Sequence, residues 1–342
     1  MSIYTDSNTA QLAYKIDSAT DAAGVTAGQL KPFNVLSDTM KPGIEVKTSE
    51  DIRDDGQFSS ARTVGGSSSG GVNCNFRYGE YDDFLTAAFR NDWEEDTADV
   101  SGKTHYLWNG NKKVPFLLER RIKRIDEVGE TINDYRRFYS QFLSSLTLNL
   151  PNKDFVQMSL NFMGLGFEYA EANAEVDPEA GKLAGITYAA RPNTDPFDSS
   201  NSITAMVVRN QAGVSYDLVM EQGSIEFNSN LREDNAIGYN YAANIGFGRF
   251  RCSPTGTFYF RNQDVLDTMM KDEYVQLEIT FAIGGNRYEL VMPYVKIMQN
   301  DEELSQVDTT MRSPLNMQAF PKNVEIMGVT RSITAYIKRI AA

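Results

Sequence analysis

Asn73-Cys74-Asn75-Phe76-Arg77-Tyr78 and Thr257-Phe258-Tyr259-Phe260-Arg261-Asn262 are the two stretches that decide how this chain is read. Cys74, Phe76 and Tyr78 share one face of an extended segment, and Phe258 and Phe260 do the same with the following Arg in step. Each stretch runs straight into a short amphipathic pattern. Tyr81, Phe84, Leu85, Ala88 and Phe89 recur at i, i+3, i+4, i+7 and i+8, and Leu266, Met269 and Met270 at i, i+3 and i+4. Those spacings gather apolar groups on one helical face. Upstream of each unit stands an apolar-Arg-acid-Asp tetrad, Ile52-Arg53-Asp54-Asp55 and Leu231-Arg232-Glu233-Asp234. Tetrad, Gly-rich stretch, strand and helix therefore occur twice in the same order. A duplicated unit suits a quasi-symmetric building block better than an enzyme with one cleft.

The length of 342 residues suits about two domains. Apolar content of 41% and aromatic content of 11% fit well-filled cores. The formal charge is −13, from 46 acids against 33 bases. A surface built to grip nucleic acid needs the opposite balance, because Lys and Arg must displace counterions from phosphates. Two cysteines, Cys74 and Cys252, make neither a disulfide framework nor a zinc site, and read as buried reduced thiols. The N-terminus carries neither the basic region nor the apolar stretch of a signal peptide, and no apolar run reaches the ~18 residues of a membrane-spanning helix. The expected setting for folding is a cytoplasm.

Period-two alternation dominates from Val35 onward. Leu146, Leu148 and Leu150 alternate with polar residues, as do Val156, Met158, Leu160 and Phe162, and the turn chemistry of Pro151-Asn152-Lys153-Asp154 joins them into a hairpin over 143–163. A second hairpin runs from Val275, Leu277, Ile279, Phe281 and Ile283 through Gly284-Gly285-Asn286 to Tyr288, Leu290 and Met292. Ile333, Ala335 and Ile337 mark a last strand. The expected fold is mainly β: two duplicated β-sandwich modules, each with one short α-helix, plus long loops and an N-terminal arm. Residues 1–34 are read as the arm, 35–170 as the first module, 171–202 as a linker with Pro178, Pro192 and Pro196, and 203–342 as the second module. The Gly- and Ser-rich run within 48–71 reads as a flexible loop, or as an arm ordered by a neighbouring subunit. A third long segment, about 300–329, precedes the last strand.

Tests for chemistry come out negative. Ser101-Gly102-Lys103-Thr104 resembles the end of a phosphate-binding loop, but Thr97 stands where the motif needs Gly. Gly164-Leu-Gly166 lacks its third Gly, since Tyr169 occupies that place, and Gly246-Phe-Gly248 fails the same way. The single histidine, His105, has no nucleophile motif around it. Asp82-Asp83 falls in the first turn of the expected helix, where carboxylates suit the helix dipole. No catalytic residue, metal site or cofactor follows from these residues. One basic cluster stands out: Lys112, Lys113, Arg120, Arg121, Lys123 and Arg124, interleaved with Val114, Phe116, Leu118, Ile122 and Ile125. It reads as a strand with a charged face. Nucleic-acid binding is one reading; pairing with the acidic loops of a neighbouring subunit is preferred, because an acidic chain must manage like charge at homotypic contacts. Arg120, Arg121, Lys123 and Arg124 are the subunit-contact candidates.

Further stretches carry a resemblance. Tyr14-Lys15-Ile16 with Gly24-Val25, Ser49-Glu50-Asp51-Ile52-Arg53-Asp54-Asp55-Gly56-Gln57, Gly71-Val72 through Tyr81-Asp82-Asp83-Phe84-Leu85, Phe116-Leu-Leu-Glu119-Arg120, Asn228 to Gly238, and Tyr288-Glu-Leu-Val-Met-Pro293 resemble, in order, the major tail tube proteins of long-tailed bacteriophages. The match is to the two-module kind, of siphovirus type, and long sheath-binding helices are not evident. In the second segment Asp51 adds a residue, and Gly56 stands where Arg is more usual. The resemblance implies a structural virion protein that polymerises as stacked rings around a DNA-conducting lumen, with inner sheets joined edge to edge, which removes exposed strand edges. Two units per chain imply a ring of three chains as a pseudo-hexamer; six chains is the alternative. The acidic balance implies a negatively charged lumen that lets DNA pass without sticking. Implied partners are further copies of the chain, a tape-measure protein, and tail-tip and tail-terminator proteins, with assembly in the host cytoplasm and no membrane insertion. Inter-ring contact candidates are Glu50, Asp51, Arg53, Asp54, Asp55, Gln57 and Arg62, with Arg232, Glu233 and Asp234 in the counterpart loop. Two alternatives stand beside this: an extracellular β-sandwich module binding carbohydrate through Trp93 and Trp108, and another phage tail or decoration protein that does not stack.

Overall fold

The computed structural model describes residues 10–125, 131–171, 181–216, 218–259, 267–268, 270–300 and 312–342. Period-two alternation forms strands throughout. They are β1 (Ala10–Ile16), β2 (Gly28–Pro32), β3 (Ser37–Asp38), β4 (Lys41–Thr48), β5 (Ala61–Asn75), β6 (Glu94–Glu95), β7 (Thr104–Trp108), β8 (Phe116–Ile125), β9 (Thr131–Leu150), β10 (Gln157–Glu171) and β11 (Ile186–Tyr188) in the first half. The second half holds β12 (Ile203–Asn210), β13 (Val219–Asn228), β14 (Arg232–Asp234), β15 (Asn244–Gly246), β16 (Arg251–Tyr259), β17 (Val275–Ile283), β18 (Asn286–Asn300), β19 (Arg312–Ala319), β20 (Lys322–Ile326), β21 (Val329–Ile333) and β22 (Tyr336–Ile340). One helix, α1 (Asp82–Phe89), follows β5 as the spacing of Phe84, Leu85, Ala88 and Phe89 requires, and all four are buried.

The duplication is written in the hydrogen bonding. In the first half the strands pair in the path β1-β8-β9-β10-β5-β4. In the second half they pair in the path β12-β17-β18-β19-β16-β13. Every pair in both paths is antiparallel. The two halves also share one core. Phe76 of the first repeat packs at 5.6 Å from both Phe281 and Tyr288, and C-terminal β22 pairs with β7. Asp82 and Asp83, in the first turn of α1, divide their partners between the halves. Asp82 binds Tyr288 and Arg339, whereas Asp83 accepts from Tyr14 Oη at 2.9 Å and Lys31 Nζ at 2.6 Å.

Four expectations need correction. From Ala10 on, the supposed arm is integral: β1 is the counterpart of β12, and Leu12, Ala13, Tyr14, Leu30 and Phe33 are buried. The Gly/Ser run is not a loop but the middle of β5, paired on both sides by β4 and β10. Its small residues answer to close approach: a Cβ on Gly70 would lie 2.5 Å from Met40 Cα, and one on Gly66 would lie 3.0 Å from the Tyr241 ring. The 171–202 connector is packed where it is described. β11 lies parallel to β2, Phe197 is fully buried, and Tyr188 donates to Glu119 in a buried cluster with Arg137, whose Nε lies 2.7 Å from Glu119. The segment about 300–329 contains β19 and β20, and the last alternation is split between β21 and β22. Phe260 to Asn262, Leu266 and Met269 of the second repeat lie outside the described residues, and Met270 is exposed.

Candidate assembly surfaces

β9 and β18 are long enough to serve two layers. The first part of β9 pairs with β8, and its end, Ser145–Leu150, pairs with β13 of the other half. The result is one continuous run of eight strands, β4-β5-β10-β9-β13-β16-β19-β18, that crosses both halves of the chain. One face of this run carries Val72, Cys74, Leu146, Leu148, Met158, Leu160, Ile225, Phe227, Cys252 and Leu315, all buried. Burial pushes the Cys74 thiol up to about 12 and the Cys252 thiol up as well, so both stay protonated.

The opposite face is open and polar. Register places Asn73, Ser145, Thr147, Asn149, Gln157, Ser159, Asn161, Ser224, Ser253, Thr255 and Asn316 on it. Its charges are Lys41, Arg251, Lys296 and Arg312 against Glu45, Glu221 and Glu226, and Lys296 is bound by Asp272. Arg312 Nε lies 2.6 Å from Glu221, and that hydrogen bond, with its charge, holds the Glu221 carboxyl below its usual range. Over the described strands this face carries no excess of acids. An overall excess of acids says nothing of where they sit, and many lie away from this face: Glu50, Asp51, Asp54 and Asp55 in one loop, and Asp92, Asp96 and Asp99 in the loops flanking Glu94 and Glu95 of β6.

The inter-ring candidates occupy two equivalent hairpin ends. Glu50, Asp51, Arg53, Asp54, Asp55, Gln57 and Arg62 are exposed at the end of the β4–β5 hairpin, together with Ile52 and Phe58. Arg232, Glu233 and Asp234 form β14, beyond the end of β13. The tetrads share a local clamp: Arg53 Nη2 lies 2.7 Å from Asp55, and Arg232 Nε lies 3.3 Å from Asp234. The Arg53 hydrogen bond lowers the Asp55 carboxyl, and hydrogen bonds from Ser49 and Ser59 lower Asp51. Among the basic-strand candidates, Arg120 is engaged within the chain by Asp38 at 2.6 Å and the Met40 carbonyl at 2.9 Å. Arg121 stacks 4.8 Å over Tyr188, and Lys123 is exposed. For Arg124 only the backbone is described, paired opposite Ile132.

The tryptophans do not form a platform. Trp108 is buried against Ile326 and Ile333 under Arg331, and Trp93 lies beneath Arg339, 6.2 Å from the Tyr288 ring. Among the described residues no group of His, Cys, Asp and Glu could hold a metal ion, and no helix is long and apolar enough to cross a membrane. Sequence reasoning missed the exposed apolar residues on the end strands of the eight-strand run, Ile44 and Val46 on β4 and Met298 on β18. Only their exposure distinguishes them from inward-facing neighbours.

A family model for phage tail tube proteins matches residues 7–319. The chain belongs to the phage tail tube protein family. The match spans both copies of the strand path. It is a structural component of a virion tail. No curated protein matches it.

Proposed function

We propose that three copies close into a ring and that rings stack into a tube that conducts DNA. The observation that carries this is the duplicated six-strand path joined into one eight-strand run. A chain that already holds two equivalent units needs three copies for six units around an axis. The joint between its halves is a heterologous contact of the kind that repeats head to tail. Strands spaced about 4.8 Å apart, eight from each of three chains, make a wall about 37 Å across before strand tilt widens it. Six chains would double that circumference.

The open polar face is assigned to the lumen. Hydroxyls and amides give passing phosphates hydrogen-bonding surface without an excess of fixed cations, so DNA moves through without gripping. Three copies carry a formal −39, three times the −13 of one chain. With no excess of acids on the sheet, a negative lumen potential comes from acid-rich loops at the ring rims. The two tetrad loops, 49–60 and 229–250, are the proposed contacts between rings. The part is structural and not enzymatic. Tape-measure, tail-tip and tail-terminator proteins are its expected partners, and the host cytoplasm its place of assembly.

Negative-stain electron microscopy of the purified protein over a concentration series tests this reading. Hollow tubes or stacked rings are expected. Monomers at every concentration, even with a tail-tip nucleus supplied, would overturn it.

A further inference from the structure

The inference here rests on the ring reading and concerns a contact away from the sheet edges. The two halves carry the same helix end. In α1, Arg90 is left-handed (φ 58°) and the Asn91 N–H donates to the Thr86 carbonyl at 3.2 Å. After β16, Asp267, Thr268 and Met270 are helical, Asp272 is left-handed (φ 57°), and the Glu273 N–H donates to the Thr268 carbonyl at 3.0 Å. Thr86 and Thr268 are both buried. This shared left-handed cap sets the correspondence: Leu85 matches Asp267, Ala88 matches Met270, Phe89 matches Lys271 and Arg90 matches Asp272. The surroundings differ. Leu85, Ala88 and Phe89 are buried, with Phe89 4.8 Å from Phe227 and 6.0 Å from Phe250 of the second half, and Arg90 Nη1 donates to the Gly248 carbonyl at 2.9 Å. Met270 is 79% exposed, and Asp267, Lys271 and Asp272 are exposed with it.

The walls that receive α1 have a counterpart too. The β8–β9 and β17–β18 ladders break register at the same place. Phe116 lies opposite Gln141 and Leu118 opposite Phe138, as Val275 lies opposite Val295 and Leu277 opposite Met292. Arg120, Arg136 and Phe138 therefore match Ile279, Leu290 and Met292. On the inner sheet Asn161 pairs with Gly71 as Asn316 pairs with Thr255. Register sets Thr39 against Gly71 as Ser224 lies opposite Thr255, so Pro42 matches Phe227. In the second half Phe227, Ile279, Leu290 and Met292 are buried in one cluster with α1. In the first half Pro42, Arg120, Arg136 and Phe138 line an open cleft of about 270 Å³, together with Phe167 and Tyr169. Arg136 is exposed, Tyr169 is 50% exposed, and the Phe138 and Phe167 rings pack 5.2 Å apart.

We propose that this cleft receives the second helical turn of the next copy, with Met270 on the Phe138, Phe167 and Tyr169 rings and Asp267 beside Arg136. The occupant is a second copy of this chain, in the place that α1 takes within the chain. Both sides have changed together. Where the closed contact has Leu85 on the helix and Ile279 and Leu290 on the walls, the open one has Asp267 on the helix and Arg120 and Arg136 on the walls. Charged surfaces stay soluble before assembly, and opposite charges then steer them together. Met270 suits an aromatic-lined cleft, because its side chain is flexible and its sulfur packs well on rings. Asp267 has only exposed Lys271 at 3.5 Å to leave, a surface pair that gives way at little cost. Arg120 stays with Asp38, 2.6 Å away, so Arg136 is the cation that meets the incoming acid.

The test is Tyr169→Cys combined with Met270→Cys, treated with a bis-maleimide after tube assembly and run on a denaturing gel. Native Cys74 and Cys252 are buried and do not compete. Covalent dimers and trimers are expected, with each single variant remaining monomeric. Tubes of normal appearance without cross-links would overturn the contact and leave the tube reading standing. A cross-link ladder running on to six would keep the contact and overturn the three-copy ring. If the unmodified chain forms neither rings nor tubes, the tube reading falls and this contact with it. As a second measure, Arg136→Glu changes an exposed side chain and should leave the melting temperature of the monomer unchanged. It is expected to raise the critical concentration for assembly about tenfold or more. Adding Asp267→Lys is expected to recover part of that loss by restoring opposite charges. Unchanged assembly by Arg136→Glu, or no recovery in the double variant, would also overturn the contact.

Discussion

The two tetrad loops sit on equivalent hairpins and yet behave differently. Loop 229–250 is braced: β14 pairs with β15, Ala242 and Ile245 are buried, and the Asn240 carbonyl accepts from the Gly66 N–H at 2.7 Å. Loop 49–60 stands in solvent with Ile52 and Phe58 exposed, held by its own Arg53–Asp55 and Ser59–Asp51 contacts. The difference follows from position in the chain. The second-half loop finds the β4–β5 hairpin of its own chain to rest on, through Gly65 and Gly66. The first-half loop would find the equivalent hairpin only on another copy. Among the described residues the same contrast separates the closed β9–β13 joint from β4, which has no strand on its outer edge. What is a closed contact in one half is, among the described residues, an uncovered one in the other.

The largest expected effect breaks the closed joint. Phe227→Ala removes a buried ring packed 4.8 Å from Phe89, and should cost about 3–5 kcal/mol in denaturant unfolding. Ile44→Ala, at the open counterpart, should change monomer stability by less than about 0.5 kcal/mol. Equal costs at the two sites would erase the distinction between folding joint and assembly joint.

A smaller effect should make the braced loop resemble the free one. Gly66→Val places carbon against the Gly43 carbonyl and the Tyr241 ring, at 2.9 and 3.0 Å from the Cβ position. Overpacking of this kind costs about 1–3 kcal/mol, and it should expose 235–241 to protease. In the unmodified monomer, cleavage within 51–58 should precede cleavage within 235–241, and assembly should protect both. Early cleavage of both loops in the monomer would show that the bracing is not there in solution.

The smallest effect is electrostatic. Burial alone would raise Asp17, but hydrogen bonds from Lys15 at 2.9 Å, the Ala19 amide and Thr26 outweigh it and lower its carboxyl. A carboxyl lowered on folding contributes stability that is present above its unfolded value of about 3.9 and lost as pH falls through the folded value. Carbon-detected NMR titration should find Asp17 below the ordinary Asp range. Asp17→Asn should lower the melting temperature slightly at pH 7, with the difference shrinking below pH 4. Exposed Asp55, held by Arg53 and the Gln57 amide, should show the lowered titration without a measurable melting shift.

Much of this architecture was legible in the sequence. The alternations over 143–163 and 275–292 gave hairpins because their apolar residues face one core. The Phe76 and Phe260 repeat gave the duplication, which the ladders reproduce. The Gly65–Gly71 run was illegible as a strand because small residues signal turns locally, and only Met40 and Tyr241, packed from elsewhere, explain them. Residues 10–33 were misread because Leu12 and Tyr14 sit among polar neighbours, and their burial depends on β8, far along the chain. Arg120 was legible as part of a charged strand, but its Asp38 partner was not. The open edges had no signature at all, because an exposed Ile or Met becomes informative only once every other strand has found its place.

A helical reconstruction of assembled tubes by electron cryo-microscopy tests the central claim most directly. The expected result is three chains per ring, with eight strands from each joined into an unbroken inner wall. Six chains per ring, or a wall interrupted between neighbouring chains, would contradict it.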